Sequence, residues 1–149
     1  MRLMSALLAS LALASPLLAM AADSPVGLWK TIDDKTGQPT AYIRIAEING
    51  ELQGKIEKLV RPAAANQNPL CLACKGARKD QPLIGMTILS GLKADGDKNT
   101  YTGGQILDPG DGSLYKAKLS VIDNGSKLDV RGYIGMPMLG RSQVWLREQ

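Results

Sequence analysis

Two cysteines three residues apart, Cys71-Leu72-Ala73-Cys74, are the residues of this chain whose type and spacing most directly carry chemistry. Two chemistries fit. In an oxidising compartment such a pair closes into a local disulfide. As free thiols, a Cys-x-x-Cys pair exchanges with other disulfides when a helix N-terminus or nearby cations lower the thiolate pKa, normally in a thioredoxin-like βαβ setting. Lys75, Arg78 and Lys79 supply cations, but Pro69 and Pro82 flank the motif and place it in a loop between strands. A disulfide joining Cys71 and Cys74 is therefore the expectation. A bridge across so short a loop shapes the loop more than it stabilises the fold, because it removes little unfolded-state entropy.

The chain has no histidine. That excludes Ser-His-Asp and Cys-His catalysis, His-ligated zinc and Cys-x-x-Cys-His haem attachment. Asp108-Pro109-Gly110-Asp111-Gly112 and Asp95-Gly96-Asp97 look like calcium loops at first sight. Neither has the EF-hand spacing with a glutamate at position 12, and both read as turns in which Asp bonds its own backbone and Gly takes positive φ. Glu47, Glu51, Glu57, Asp129 and Glu148 fall on different predicted strands, so spacing pairs none of them. No catalytic residue, metal ligand or cofactor is assigned, and the residues point to binding rather than catalysis.

Candidate binding residues are fewer. Gly103-Gly104 interrupts a strand pattern, which marks a bulge, a barrel corner or a place where a ligand meets bare backbone. Arg131 has Asp129 and Tyr133 as its period-2 neighbours, so an outward polar face is the default. Turned inward by strand curvature, an arginine there would anchor an anionic head group, with Tyr133 and Arg141 as its companions.

The elements that must position these residues are strands. A length of 149 residues suits one domain. Met1-Arg2, the apolar run from Leu3 to Leu18 and Ala19-Met20-Ala21 form a secretory signal peptide cleaved after Ala21. Pro16 and the processing site end the run too early for a membrane span. Residues 22–149 then make one exported domain, periplasmic or secreted. The formal net charge is +4, with Lys116, Lys118, Lys127, Arg131, Arg141 and Arg147 dispersed among apolar residues. A nucleic-acid surface instead shows a dense basic stripe with interleaved aromatics.

Eight β-prone runs follow the leader: 28–32, 41–48, 51–59, 83–92, 100–107, 114–122, 128–134 and 142–147. Asn49-Gly50 between the second and third is a strong hairpin signal, since both residues tolerate positive φ. Residues 61–82 break the rhythm as a loop or short helix carrying the disulfide, between strands 3 and 4. Strands at roughly 8–15-residue spacing indicate an all-β antiparallel barrel or sandwich. Eight in an up-and-down meander close on themselves around side chains or one small ligand. An eight-stranded outer-membrane barrel would need aromatic girdles, and this chain has two tryptophans, four tyrosines and no phenylalanine.

Several stretches carry a resemblance. Cys71-x-x-Cys74, Gln81-Pro82-Leu83-Ile84-Gly85-Met86, Tyr101-x-Gly103-Gly104-x-Ile106-Leu107-Asp108-Pro109, Val130-Arg131-Gly132-Tyr133-Ile134-Gly135 and Gly140-Arg141-Ser142 occur in one order. Over essentially all of residues 22–149 the chain resembles the small secreted bacterial proteins of domain of unknown function 2147 (DUF2147). That resemblance implies a lipocalin-like barrel and no established activity. Gly27-Leu28-Trp29 is similar to the Gly-x-Trp opening of lipocalins, in which the tryptophan closes the barrel bottom under an arginine from near the last strand. Arg147, beside Trp145, or Arg141 would take that part.

The reading is thus an exported lipocalin-like barrel that binds a small apolar or amphipathic molecule, with no nucleic acid and no membrane span after leader removal. Two rivals keep other uses for the cysteine loop. One is an envelope interaction module presenting Lys75, Arg78 and Lys79. The other is a thiol–disulfide protein acting through Cys71 and Cys74.

Overall fold

The computed structural model describes residues 24–96 and 99–149. The leader, its cleavage site after Ala21 and Asp97 of the Asp95-Gly96-Asp97 turn lie outside the described residues. The strands are β1 (Gly27–Ile32), β2 (Pro39–Ile48), β3 (Glu51–Leu59), β4 (Thr87–Ala94), β5 (Thr100–Asp108), β6 (Ser113–Ile122), β7 (Lys127–Tyr133) and β8 (Gly140–Arg147). Each pairs antiparallel with the next, and β8 returns to β1, so the sheet is a closed barrel in sequence order. Closure leaves no free edge strand in the sheet.

Side-chain alternation explains which residues fill it. On β2, Ala41, Ile43 and Ile45 are buried, while Tyr42, Arg44 and Ala46 between them are only partly covered. Ala117, Leu119 and Val121 on β6, Leu128 and Val130 on β7 and Trp145 on β8 complete one core. The Asn49-Gly50 hairpin adopts φ of 53° and 78°, the pair of positive angles a type I′ turn requires.

One strand boundary differs from the periodicity. The run from Leu83 becomes strand only at Thr87. Leu83 donates its amide to Pro69 at 3.0 Å, and Pro82 pairs with Leu70 in an isolated bridge. Residues 82–86 therefore belong to the loop before β4, despite their apolar character. That loop, 60–86, contains a single 3₁₀ turn, Gly76–Arg78.

Gly103 sits at φ 79°, and the β5–β6 register shifts between Tyr101 and Gly104. This is a bulge. A Cβ on Gly104 would lie 2.5 Å from both Leu92 Cγ and the Ser90 carbonyl oxygen, so the bare backbone there admits the Leu92 side chain. Gly104→Ala should lower unfolding free energy by about 1–3 kcal/mol, as over-packing of a dense core does. Urea denaturation measures it; an unchanged midpoint would contradict this packing.

Candidate functional site

Antiparallel order sends alternate connections to opposite ends of the barrel. One end carries the Asn49-Gly50 turn, the Asp123–Gly125 turn, and the approach to β1 and exit from β8. There Trp29 and Trp145 are fully buried. The Trp29 indole donates to the Pro25 carbonyl at 2.7 Å. Arg147 lays its guanidinium over the Trp29 ring, 4.2 Å from the centroid. The same guanidinium donates to the carbonyls of Gly125, Val26 and Ser24. An arginine with five donors in a planar fork is suited to stacking and bonding at once. Its desolvation pulls the Arg147 pKa somewhat below the ordinary value. The geometry thus gives the bottom position to Arg147. Arg141 lies at the other end.

That other end is hollow. The connections 33–38, 60–86, 109–112 and 134–139 surround an open mouth, beneath which lies a cavity of about 760 Å³. Its walls are Ala41, Ile43, Ile56, Ile88, Ile106, Leu107 and Val130, with Trp145 as part of its floor. Polar groups gather towards the rim: Arg141, Gln143, Tyr115, Asp111, and the hydroxyls of Thr31 and Thr40, which bond each other at 2.6 Å. Asp111 accepts from the Tyr115 hydroxyl at 2.7 Å and from the Ser113 amide at 2.8 Å. These bonds hold its carboxyl below the usual carboxylate range and raise the Tyr115 phenol. An apolar chamber with convergent polar groups at its entrance is the common form of a small-molecule site, for which about 300–1,000 Å³ is usual.

The residues singled out in the sequence distribute unevenly about this chamber. Tyr133 and Arg141 border it. Gly103 and Gly104 do not, since Leu92 occupies the space beside Gly104. Arg131 is on the outer face, where it donates to Ser142 Oγ at 3.0 Å and to the carbonyls of Pro137 and Gly140. Its neighbours Val130 and Gly132 take the inward positions, so alternation along β7 turns Arg131 out. The wall residues Ile43, Ile56 and Ile88 and the rim residues Tyr115 and Gln143 were not distinguishable in sequence from ordinary core and surface. Only barrel closure brings them to one end.

Cys71 and Cys74 are disulfide-bonded, with exposures of 1% and 2%. Cys71 exchanges backbone bonds with the far side of its loop, donating to the Gln81 carbonyl at 2.8 Å and accepting from the Asp80 amide at 3.0 Å. Exchange requires an attacking thiolate to reach a sulfur, and here both are covered. The adjoining Ala73 carbonyl presses on the β5–β6 turn, where a Cβ on Gly112 would come within 1.8 Å of it. The disulfide loop is therefore a buttress beside the mouth, and Lys79 is drawn into it, its ammonium bonding the Leu72 carbonyl.

A closed eight-stranded meander, plugged by a Trp–Arg stack at one end and hollow at the other, is a lipocalin-type barrel. Comparison of folds agrees: protein HP1028 from the human pathogen Helicobacter pylori, a lipocalin-family structure, superposes with a TM-score of 0.69. The two share 17% identity, over 83% of this chain and 82% of that one. Residues 27–147 match the family model of DUF2147, an uncharacterized protein conserved in bacteria, and the chain belongs to that family. No curated protein matches the sequence.

The bottom plug yields a stability prediction. Arg147→Ala removes a stacked cation and leaves three carbonyls without their donor, and should cost about 2 kcal/mol or more, given about 1.5–3 for bonds to charged groups. Arg147→Lys keeps the charge but not the fork, and should recover less than half of the loss. Equal stability of all three proteins in urea would show that the stack is ornamental.

Proposed function

We propose that this barrel binds a small apolar or amphipathic molecule, with the apolar part buried in the chamber and any polar head at the rim. The observation that supports this is the chamber itself: about 760 Å³ open at one end only, in a barrel whose other end is filled. Burial of ligand surface would contribute roughly 25 cal/mol per Å². Arg141 is the rim group suited to a carboxylate or phosphate head, and Asp111, its carboxyl held below the usual range by Tyr115 and Ser113, is a charged group of opposite sign on the same rim.

An exported setting fits the same reading. The Cys71–Cys74 disulfide is at home in an oxidising compartment, and the leader-like segment before Ala22 would deliver the chain there. Family membership among bacterial proteins makes the periplasm the simplest destination.

The test uses cis-parinaric acid, whose fluorescence rises in an apolar site. Binding should saturate at one molecule per barrel. Val130→Trp, which fills the chamber from β7, should weaken it at least tenfold, about 1.4 kcal/mol. Arg141→Ala should weaken the acid more than the corresponding alcohol. Absence of saturable binding, or an affinity indifferent to Val130→Trp, would remove the ligand reading.

A further inference from the structure

The connection from β7 to β8 is a run of six residues without a charge, Ile134-Gly135-Met136-Pro137-Met138-Leu139. Its backbone is tied to the outer wall, but its apolar side chains are not buried there. Met136 is 57% exposed and Met138 75%, with Ile134 and Leu139 exposed beside them. The exposure is built in rather than loose. The Ile134 carbonyl accepts from the Met136 amide at 2.9 Å, the Met136 carbonyl accepts from the Leu139 amide at 2.9 Å, and Arg131 bonds the Pro137 carbonyl from the outer wall. Four large apolar side chains held out into water at one loop are a lasting cost that a monomeric surface rarely carries without an occupant.

The charges around the base of this loop identify the occupant. Lys118 and Arg131 face each other directly across β6 and β7, a like-charged pair that repels unless an anion sits near it. Lys116 pairs with Tyr133 two residues closer to the mouth, and Arg141 is the second residue of β8. Among the described residues, none of these four cations takes part in an ion pair. Pro137 and Met138 overhang a hollow of about 320 Å³ that contains Lys118 and Arg131. Asp129 is the single acid in that hollow, leaving two cations to one anion.

We propose that the Ile134–Leu139 loop inserts into an anionic lipid bilayer, with Lys116, Lys118 and Arg131 meeting the headgroup phosphates and the cavity opening beside the membrane. Apolar side chains at the tip and cations at the base are the order in which a bilayer interface presents acyl chains and phosphates. A protein groove would need to receive the uncharged, apolar loop and still neutralise the cations beside it. Ile134 and Leu139 belong to the loop and also border the cavity. An amphiphile could therefore pass between bilayer and chamber along apolar side chains. The docking itself rests on the loop and its cations, and stands independently of whether the cavity takes a ligand.

Vesicle flotation tests it, using the full expressed chain as recovered from cells, with its N-terminus read by mass spectrometry in every variant. Wild type should float with vesicles of phosphatidylglycerol and phosphatidylethanolamine, and far less with phosphatidylcholine alone. Met136→Asp with Met138→Asp should lower the partition coefficient at least tenfold. Lys116→Glu with Lys118→Glu should lower it on anionic vesicles only, and added salt should do the same. A Met138→Trp variant should show a blue-shifted emission on vesicle addition, read above the buried Trp29 and Trp145. Val130→Trp should float like wild type, separating this proposal from the cavity reading. Equal flotation of the aspartate variant overturns it. So does failure of wild type to float, whether the loop then proves to cover a second copy in sedimentation or to crosslink to a protein. Circular dichroism and thermal melting of each variant, the buried Val130→Trp included, check that the barrel remains folded.

Discussion

The seam between first and last strands is where this barrel is thinnest. Two residue pairs, Trp29 with Arg147 and Lys30 with Leu146, join β1 to β8, whereas β6 and β7 share seven. Arg147 reinforces that short ladder from inside: its side chain binds three carbonyls and covers the Trp29 ring. Beyond it, the chain continues across β1, with Leu28 donating to the Gln149 carbonyl at 3.0 Å and accepting from the Glu148 amide at 2.8 Å. If the seam opened, both strands would become edges, and the inward face would no longer enclose anything. Every property of the chamber depends on this closure.

Closure alone does not make a cavity; side-chain volume decides that. Both tryptophans lie low in the barrel, and the chain has no phenylalanine to fill the upper half. The walls there are Ala41, Gly132 and medium-sized aliphatics, with the aromatic rings Tyr115 and Tyr133 only at the rim. Eight strands enclose just enough room for side chains or one small ligand, so aliphatics in place of aromatics leave a chamber. Apolar walls also leave few polar partners for ordered water, which needs two to four.

The mouth loops divide the remaining roles. The 60–86 loop is held by its disulfide, by the Leu70–Pro82 bridge and by the contact of Ala73 with Gly112. It stiffens one side of the entrance. The 134–139 loop is held by a side chain instead: Arg131 reaches from the outer wall to its backbone. This keeps apolar residues in water and gives Arg131 a role its position in the sequence did not announce.

Much of this was legible in the sequence, because local rules govern it. Period-2 alternation identified all eight strands, and Asn49-Gly50 specified its turn by the positive φ both residues accept. The start of β4 is not legible from periodicity, since Leu83 and Met86 are as apolar as strand residues; the bond from Leu83 to Pro69 and the Leu70–Pro82 bridge place them in the loop. The wall residues were invisible for a similar reason: Ile43 and Ile45 look alike on β2, yet one borders the chamber and the other lies in filled core. The run Met136-Pro137-Met138-Leu139 did carry a signal, four apolar residues where a polar turn was due. The sequence by itself determined strand count, turn types and the cysteine pairing, which depend on neighbours along the chain. Tertiary structure alone decided which arginine caps the bottom, where empty space remains and which face Arg131 takes, because those depend on distances between residues brought together by closure.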